Sequence, residues 1–337
     1  MAELATALVD EFLTLVDDSC VAVLPHVLRI AAELRVADVL ADGPRDVDTI
    51  ASEVDADTES LYRMLRALAS VGLVTESEQR TFALTQRGRR LRTDATDTSW
   101  ASVVNIESQQ AWIRATDTIR SSKSAFDQTH GGEFFEHKDE DPGANRMFLR
   151  RMRERAGRSY PRFPIAVDWD PSAVVMDIGG GDGYLLGRVL DFKQNLSGVL
   201  FDRQATVDVV RSEGTLDRFG ARVSTESGDF FQKVPLGADT HLMCSVLHDW
   251  TDEQAITILR NSRESLEPGG RLHIVEMVVP DGDDWHPSKW SDVGMMVLTG
   301  GRERTRVEFD ALLSAAGYTL TSVRGIPRSY FSVITAV

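Results

Sequence analysis

Residues 174–184 read Val-Val-Met-Asp-Ile-Gly-Gly-Gly-Asp-Gly-Tyr, an apolar run that passes into a glycine-rich turn. This order predicts a buried strand, a tight loop and the start of a helix, with a ligand bound against the bare backbone of the loop. A dinucleotide fingerprint that begins at Gly179 and Gly181 needs a third glycine three residues later, where this chain has Tyr184. The loop therefore predicts a nucleotide-like ligand other than a dinucleotide.

Acidic residues in and after this loop indicate which ligand it takes. Asp177 and Asp182 would repel a pyrophosphate in a poorly solvated turn, whereas S-adenosylmethionine carries an ammonium and a sulfonium and no phosphate. Asp202 ends the second predicted strand, where a carboxylate binds ribose hydroxyls. Asp229 and Phe230 lie where a further strand, between the runs at 198–201 and 240–246, should end. There they are placed to accept from the adenine amino group and to cover its ring. Either acid alone could be an ordinary loop residue, but together with the glycine loop they predict an S-adenosylmethionine site.

The C-terminal half alternates short β-branched runs with helical segments. Strands are predicted at 173–178, 198–201, 240–246 and 272–276, with helices at 185–190, 205–212 and 252–266. Two more strand-like runs, 319–323 and 330–335, close the chain. The alternation predicts a doubly wound parallel α/β sheet. Because a closing antiparallel pair is expected of methyltransferases more than of dehydrogenases, the predicted fold is a class I methyltransferase Rossmann-like domain.

Three side chains are predicted to meet at the carboxyl edge of this sheet. His248 follows the predicted strand at 240–246, Glu276 ends the one at 272–276, and Glu303 lies in a later loop. Methyl transfer needs an aligned and deprotonated acceptor, and a neutral imidazole suits a phenol of pKa about 10. We therefore predict His248 as the general base, with the two glutamates orienting its ring. A surface ion pair with Arg302, Arg304 or Arg306 is a nearly equal interpretation of Glu303. Asp249 is expected to cap the next helix or to support the loop.

The first 97 residues follow a different pattern. Apolar residues recur at helical spacing from residue 3 to about 40. Next come a short helix after Asp48, a longer one at 61–71 capped by Asp57 or Thr58, extended runs at 73–76 and 81–84, and a helix near 88–91. This order is typical of a winged helix, which serves DNA binding or dimerisation. Since the charges on the second helix roughly cancel, we favour dimerisation.

Residues 98–165 are predicted to be helical and to contribute to an acceptor pocket. Helices are expected at 100–119 and 145–158, with a loop around 129–132. The arginine-rich segment 146–158 is interpreted as an amphipathic helix with a solvated basic face. The predicted organisation is a dimerisation domain at 1–97, a helical linker at 98–165 and a cofactor-binding catalytic domain at 166–337.

Composition narrows the partners and the compartment. The chain of 337 residues has a formal net charge of −15, which disfavours nucleic acid and anionic membranes. It contains no apolar stretch of the roughly 18 residues that a membrane span requires, and its acidic start excludes a basic-headed signal peptide. Cys20 and Cys244 are its two cysteines, so we expect a cytoplasmic protein. The spacing of His130 and His137 matches no standard ligand set, and no metal is expected.

The chain resembles the plant-type aromatic O-methyltransferases, similar to those acting on caffeate or hydroxyindoles, and in particular bacterial members that modify natural products such as antibiotics. The resemblance rests on the segments DIGGGDG, GDFF, LHDWTDE, PGGRLHIVE and GGRERT and covers nearly the whole chain. It implies a winged-helix domain that builds an intertwined homodimer, S-adenosyl-L-methionine as donor and S-adenosyl-L-homocysteine as product. The family's cofactor-contacting lysine falls on Cys244 here, and Ser245 is a candidate replacement.

The resemblance also implies roles for individual residues. His248 would be the base, flanked by Glu276 and Glu303. The expected cofactor contacts are Asp177, Gly179, Gly181, Asp202, Arg203, Gly228, Asp229, Phe230 and Ser245. The expected acceptor contacts are Trp112, Phe148, Met152, Asp249, Met295 and Met296. Packing into the helical core is an equally good explanation for each apolar one.

The predicted function is therefore in-line methylation of a phenolic hydroxyl on a small aromatic acceptor. An amine or carboxylate acceptor remains an alternative, as does use of the cofactor site for hydroxylation or decarboxylation, although the complete catalytic set argues against the latter. A ligand-sensing winged-helix regulator would bind DNA in a salt-dependent way. A nicotinamide oxidoreductase is opposed by Tyr184 and Asp182.

Overall fold

The structure, a computed structural model, describes residues 19–77, 80–95, 105–170 and 173–337, with side chains from residue 23 onward. Contacts divide the chain into two units, Met1–Ile106 and Glu107–Val337. The predicted helical segments before residue 19 and at 100–104 lie outside the described residues, and the domain boundaries at 97 and 165 stay predictions. No helix of the described ranges combines the length and the apolar character that a membrane span needs.

The N-terminal unit is a small helical domain with a three-stranded antiparallel sheet in the order β1-β3-β2. Its described elements are α1 (Ser19–Glu33), α2 (Val36–Val39), β1 (Arg45–Asp46), α3 (Val47–Glu53), α4 (Thr58–Ser70), β2 (Val74–Ser77), β3 (Thr81–Leu84) and a 3-10 helix at Gly88–Leu91. Asp57 caps α4 by accepting from the N–H of Ser60, as predicted, but Asp46 rather than Asp48 caps α3. Ile50, Leu65 and Phe82 are fully buried at its centre.

Five helices open the C-terminal unit: α5 (Ile106–Ile113), α6 (Ala115–Ser121), α7 (Ala125–His130), α8 (Phe134–Glu140) and α9 (Pro142–Ser159). The single helix predicted to end at 119 is wrong, because the chain breaks at Arg114, whose guanidinium donates to the carbonyl of Gln128 at 2.9 Å. The predicted loop around 129–132 starts later, since α7 continues to His130 before Gly131 ends it. The predicted helix at 145–158 is confirmed, but it begins three residues earlier, at Pro142, and Asp141 caps it.

A mixed sheet forms the body of this unit, in the order β10-β11-β8-β7-β4-β5-β6. Its strands are β4 (Val174–Ile178), β5 (Ser197–Asp202), β6 (Val223–Ser227), β7 (Ala238–Cys244), β8 (Leu266–Val279), β10 (Leu320–Gly325) and β11 (Phe331–Ala336), with β9 (Arg304–Thr305) pairing β8 alone. The strands β4 to β8 are mutually parallel. Strand β11 pairs antiparallel with β8, and β10 pairs antiparallel with β11, so the predicted closing antiparallel pair is confirmed. The strand β8 starts six residues earlier than predicted, because Leu266 pairs with Ala238.

Helices cover both faces of the sheet, as the alternating pattern predicts. They are α10 (Tyr184–Phe192), α11 (Gln204–Glu213), α12 (Asp252–Ser265), α13 (Pro287–Leu298) and α14 (Arg306–Ala315). One core cluster includes Leu186, Val189 and Val275, and a second includes Met176 and Ile258. Two apolar layers therefore fix the carboxyl ends of the parallel strands at one edge.

Candidate functional site

The glycine loop follows β4 at this edge of the sheet. The N–H of Gly179 donates to the carbonyl of Phe201 at 2.8 Å, which ties the loop to β5. Gly179 has a φ of +69°, and a Cβ built there would lie 2.9 Å from Cγ2 of Val246. Only glycine fits such a backbone. The predicted order of strand, loop and helix is confirmed, with α10 beginning at Tyr184.

Asp177 lies at the end of β4 and is fully buried. Neither of its carboxylate oxygens has a hydrogen-bond partner among the described residues. Burial, followed by the charges of Asp202 and Asp182, raises its pKa to about 7. A buried carboxylate without a partner is costly, so this position fits the positively charged ammonium of S-adenosylmethionine.

Asp182, the other acid of the loop, is already paired. Its Oδ2 lies 2.5 Å from Nε of Arg153 on α9, and its Oδ1 accepts from the N–H of Tyr184 at 3.0 Å. Of the two loop acids, Asp177 alone is therefore left free for a cationic ligand.

Asp202 joins the glycine loop to the end of β5. Its Oδ2 accepts from the N–H of Gly181 at 2.8 Å, and its carbonyl accepts from the N–H of Gly228 at 3.0 Å. The structure thus brings these three predicted cofactor residues together. The guanidinium of Arg203 donates to the carbonyl of Phe135 on α8 at 2.7 Å, and its Nε lies 4.0 Å from Oδ1 of Asp202.

Asp229 and Phe230 follow β6, as predicted. Asp229 is exposed, and its Oδ1 accepts from the N–H of Phe231 at 2.8 Å. The half-buried ring of Phe230 meets Trp250 edge to face, with 5.8 Å between ring centroids. An aromatic wall therefore stands beside the segment expected to bind adenine.

Cys244 is the last residue of β7, and Ser245 follows it. Cys244 is buried, and burial raises the pKa of its thiol. Ser245 has a φ of +53°, which is uncommon for a residue other than glycine. Its Oγ lies 3.3 Å from the hydroxyl of Tyr160, so it joins the segment after α9 to this edge of the sheet.

His248 sits in a 3-10 helix, Leu247–Asp249, directly after β7, and its side chain is buried. Its Nδ1 lies 3.0 Å from Oε1 of Glu303, which is equally buried. The alternative of a surface ion pair for Glu303 is therefore wrong. Two contacts that the sequence did not reveal hold Glu303 in place, since the Ser291 hydroxyl donates to Oε1 at 2.7 Å and the Glu303 N–H donates to Asp292 at 2.9 Å.

Glu276 supports the turn through its backbone. Its Oε1 accepts from the N–H groups of Val246, Leu247 and His248 at 3.1, 2.7 and 3.2 Å. Its Oε2 is buried without a hydrogen-bond partner among the described residues. Of the two acids predicted to orient the imidazole, Glu303 alone hydrogen-bonds to the ring.

The buried charges shift one another's protonation. Burial lowers the pKa of His248, but the nearby charges of Asp249 and Glu276 and the hydrogen bond to Glu303 outweigh it and raise the pKa to about 9. Burial raises the pKa of Glu276. Burial also acts to raise the pKa of Glu303, yet the hydrogen bond and charge of His248 bring it below its usual value. These shifts favour an imidazolium at His248 beside an ionised Glu303 at neutral pH.

The helix after the turn is capped by Thr251. Its hydroxyl accepts from the N–H of Gln254 at 3.3 Å, and the Gln254 side chain returns to the Thr251 N–H. Of the two roles expected for Asp249, capping this helix is wrong, and support of the loop stays a prediction. The Oδ1 of Asp249 lies 3.8 Å from Nε2 of His248, on the side of the ring away from Glu303.

The loop that carries Glu303 is fastened to the histidine turn. The fully buried guanidinium of Arg304 donates to the carbonyls of Leu247 and Trp250 at 2.8 and 2.9 Å. A Cβ built on Gly301 would lie 2.2 Å from the carbonyl oxygen of His248. These contacts therefore fix the distance between His248 and Glu303.

The predicted acceptor residues are only partly brought together. Phe148 and Met296 pack against one cluster that includes the buried Phe126 and Phe134. Half-buried or exposed positions are taken by Met152, Met295 and Trp112, the last of which is 46% exposed. An aromatic-rich wall thus forms from α7, α8, α9 and α13.

The expectation that no metal takes part stays a prediction. Ligand atoms of His248, Glu276 and Glu303 all lie within 4.8 Å of one another. The Oε1 of Glu276 already accepts three backbone N–H groups, which favours an acid–base role for this cluster.

Two family models match the chain. The O-methyltransferase domain model matches residues 112–319, and the O-methyltransferase dimerisation domain model matches residues 19–94. The second match supports a role in dimerisation for the N-terminal unit.

Curated relatives cover most of the chain. It is 37% identical over 321 residues to the O-demethylpuromycin-O-methyltransferase of Streptomyces alboniger, covering 92% of this chain and 85% of that protein. It is 33% identical over 298 residues to a phenazine O-methyltransferase of Lysobacter antibioticus, covering 88% and 87%. Further relatives are named as an N-methyltransferase and a 10-hydroxylase.

Solved structures agree with the fold. An O-methyltransferase from neocarzinostatin biosynthesis, in complex with S-adenosyl-L-homocysteine and 1,4-dihydroxy-2-naphthoic acid, matches with a TM-score of 0.83 at 31% identity. The match covers 93% of this chain and 95% of that one. The predicted class I methyltransferase fold and its cofactor are thereby confirmed. The chain belongs to the S-adenosyl-L-methionine-dependent O-methyltransferases of the plant-type family, with an N-terminal dimerisation domain.

Proposed function

We propose that this protein transfers a methyl group to a phenolic hydroxyl of a small aromatic natural product, with His248 as the general base. The pair of His248 and Glu303 carries the proposal. Their contact of 3.0 Å occupies Nδ1 and leaves Nε2 for the acceptor hydroxyl. Relatives named for aromatic acceptors such as phenazines support it.

S-adenosyl-L-methionine supplies a methyl group on a positively charged sulfur, which is already activated for displacement. Asp177 offers a free buried carboxylate to an ammonium, Asp202 a carboxylate to ribose hydroxyls, and Phe230 an aromatic face to adenine. We propose these residues as the cofactor site, together with Gly179, Gly181, Gly228, Asp229 and Ser245. The guanidinium of Arg203 is left out, because α8 holds it.

The cluster at the turn would take up the acceptor proton. Nε2 of a neutral His248 accepts it, and the ionised Glu303 stabilises the imidazolium through Nδ1. A His248 pKa of about 9 lies close to that of a phenol, about 10, so the transfer is nearly balanced in free energy. Glu276 acts as a positioning residue, because it holds the backbone of the turn.

A screen with trideuteromethyl-labelled S-adenosyl-L-methionine tests the proposal. Matched bicyclic acceptors that carry a phenol, an aniline or a carboxylate on the same ring are incubated with the enzyme and analysed by mass spectrometry. We expect the deuterated methyl group on the phenol oxygen. Labelling of the aniline or the carboxylate alone, or an oxygenated product without the label, would replace the proposal with one of the alternatives.

The rate of methyl transfer should depend on the protonation of His248. Because the neutral imidazole is the active form, kcat/KM should rise with pH through the neutral range and level off above about 9. A pH profile with two phenols of different acidity is the measurement. The inflection should stay in place when the phenol changes, and a profile that follows the acceptor's own pKa would contradict the assignment.

Asp202→Asn should weaken cofactor binding. Losing a charge-assisted hydrogen bond to the ribose corresponds to about a 10–100-fold rise in the Kd of S-adenosyl-L-homocysteine, measured by calorimetry. The matched control is Asp208→Asn, an exposed aspartate on α11, which should leave the Kd unchanged. Equal Kd values for both variants would remove Asp202 from the site.

We further propose that the N-terminal unit forms the homodimer and that the protein works in the cytoplasm without a metal. The dimerisation model over residues 19–94 supports the first point. Two cysteines far apart in sequence and a net charge of −15 support a reducing compartment away from anionic surfaces.

A further inference from the structure

Two arginines of α9 share a helix face with predicted acceptor residues. Arg151 and Arg155 are one helical turn apart, and positions 148, 152 and 155 follow the spacing that places side chains on one face. Both arginines are half-buried, whereas Arg146 on the same helix is exposed. The basic run is therefore not a uniform solvated face, and the structure divides it.

Neither Arg151 nor Arg155 has an ion-pair partner. In the described part of the chain, no carboxylate oxygen lies within 4.0 Å of either guanidinium, whereas Arg153 between them pairs with Asp182. The like charges also repel, since burial and then Arg155 lower the pKa of Arg151. Two half-buried cations side by side without a carboxylate at ion-pair distance are costly in the free chain, and an anion between them would relieve their repulsion.

Arg155 lies beside the catalytic cluster. Its guanidinium is 6.0 Å from the ring centroid of Phe331, which packs at 4.4 Å against Tyr160. Two acids, Asp249 and Glu303, lie on either side of the His248 ring. Burial acts to raise the pKa of each, and the positive charge of Arg155 acts to lower it by a smaller amount.

Other arginines lie near the acids of the cofactor segments. Burial raises the pKa of Asp182 and of Asp202. The charge of Arg153 opposes this rise at Asp182, and the charge of Arg203 opposes it at Asp202. Phe331 pairs with Met277, the residue after Glu276, so the contact with its ring places the Arg155 guanidinium near the sheet edge that carries His248.

We propose that Arg155, with Arg151 beside it, binds a negatively charged substituent, such as a carboxylate, on the aromatic acceptor. The inference rests on the proposed function and specifies its substrate class. The apolar side chains of Phe148 and Met152 on the same face suit the flat ring. A planar guanidinium binds a carboxylate through two parallel hydrogen bonds, which would fix the ring's orientation relative to His248.

Two probes that differ only in charge test this subsite: 3-hydroxy-2-naphthoate and its neutral carboxamide. Their Kd values are measured by calorimetry with S-adenosyl-L-homocysteine bound. The wild type should bind the carboxylate at least about tenfold more tightly. Arg155→Met should raise the Kd of the carboxylate by about 10–100-fold and leave that of the amide unchanged, with Arg155→Lys falling between. Arg151→Met should give a smaller change of the same kind.

The control is Arg146→Met, which removes an exposed charge from the same helix and should leave the ratio of the two Kd values as in the wild type. A wild type that binds both probes equally, or fails to bind the carboxylate, overturns the proposal. So does an Arg155→Met variant that weakens both probes alike, which would mean a structural role. Weaker S-adenosyl-L-homocysteine binding with an unchanged ratio would assign Arg155 to the cofactor's carboxylate instead.

The two proposals fail separately. Transfer of a labelled methyl group to the neutral amide reports the phenol methyltransferase activity and does not involve the anion subsite. An enzyme that methylates the amide but shows no charge preference refutes the subsite alone. An enzyme that prefers the carboxylate in binding but methylates neither phenol refutes the proposed function while the subsite stands.

Discussion

His248→Gln is expected to lower kcat by about 10²–10⁴-fold, the range for loss of a general base. Glutamine can still donate to Glu303, so the buried carboxylate keeps a partner, but it cannot accept the acceptor proton at neutral pH. The Kd of S-adenosyl-L-homocysteine should change little, because His248 lies outside the proposed cofactor residues. Steady-state kinetics with a phenolic acceptor and calorimetry give the two readouts.

The matched control is His273→Gln. His273 is also buried on the sheet and hydrogen-bonded through Nδ1, in its case to Thr335 at 3.0 Å. Its substitution should leave kcat close to that of the wild type. If the two variants turned over at the same rate, His248 would not be the base.

Arg304→Met should destabilise the protein by about 2–5 kcal/mol. The change removes the donors to the buried carbonyls of Leu247 and Trp250 and breaks the contact of 2.9 Å with Asp252. Urea denaturation should show a lower midpoint with an unchanged slope. Turnover should fall as well, because the catalytic turn loses its fastening.

Arg302→Met is the control for that variant. Its side chain is half exposed and pairs with the solvent-accessible Asp252 and Glu308, so its loss should cost less than about 1 kcal/mol. Equal midpoints for Arg302→Met and Arg304→Met would show that the buried contacts contribute nothing to stability.

Local patterns predicted most of the fold. The glycine loop, the β-branched runs and the caps such as Asp57 are read from neighbours in sequence, and the structure has them in place. The errors lie where the bounds of a helix or strand depend on contacts with residues that are distant in sequence. The break at Arg114 depends on Gln128 of another helix, and the start of β8 depends on pairing between Leu266 and Ala238.

The site shows the same division. That His248, Glu276 and Glu303 converge follows from strand ends meeting at one edge of the sheet. Which glutamate contacts the ring does not follow from it, because the answer depends on where the three N–H groups of the turn point. The contact of Ser291 with Glu303 has no sequence signal, since a serine on a helix face is ordinary.

The raised pKa of His248 could not be predicted for a related reason. The sequence shows the titratable groups but not their burial or their neighbours. Here the fold places Asp249, Glu276 and Glu303 near the buried imidazole of His248. The pairing of Asp182 with Arg153 is similar, because it decides that Asp177 alone among the loop acids stays available.

The absence of a side chain at Gly301 has a consequence for how such enzymes diversify. A Cβ at this position would lie 2.2 Å from the carbonyl oxygen of His248, so the loop that carries Glu303 packs directly against the turn that carries His248. A shift between the loop and the turn would therefore change the contact between the two side chains. The pair of His248 and Glu303 and the α9 side chains proposed to contact the ring thus lie on separate pieces of the chain. Substitutions on α9 are expected to change which molecule is modified while this pair keeps its geometry.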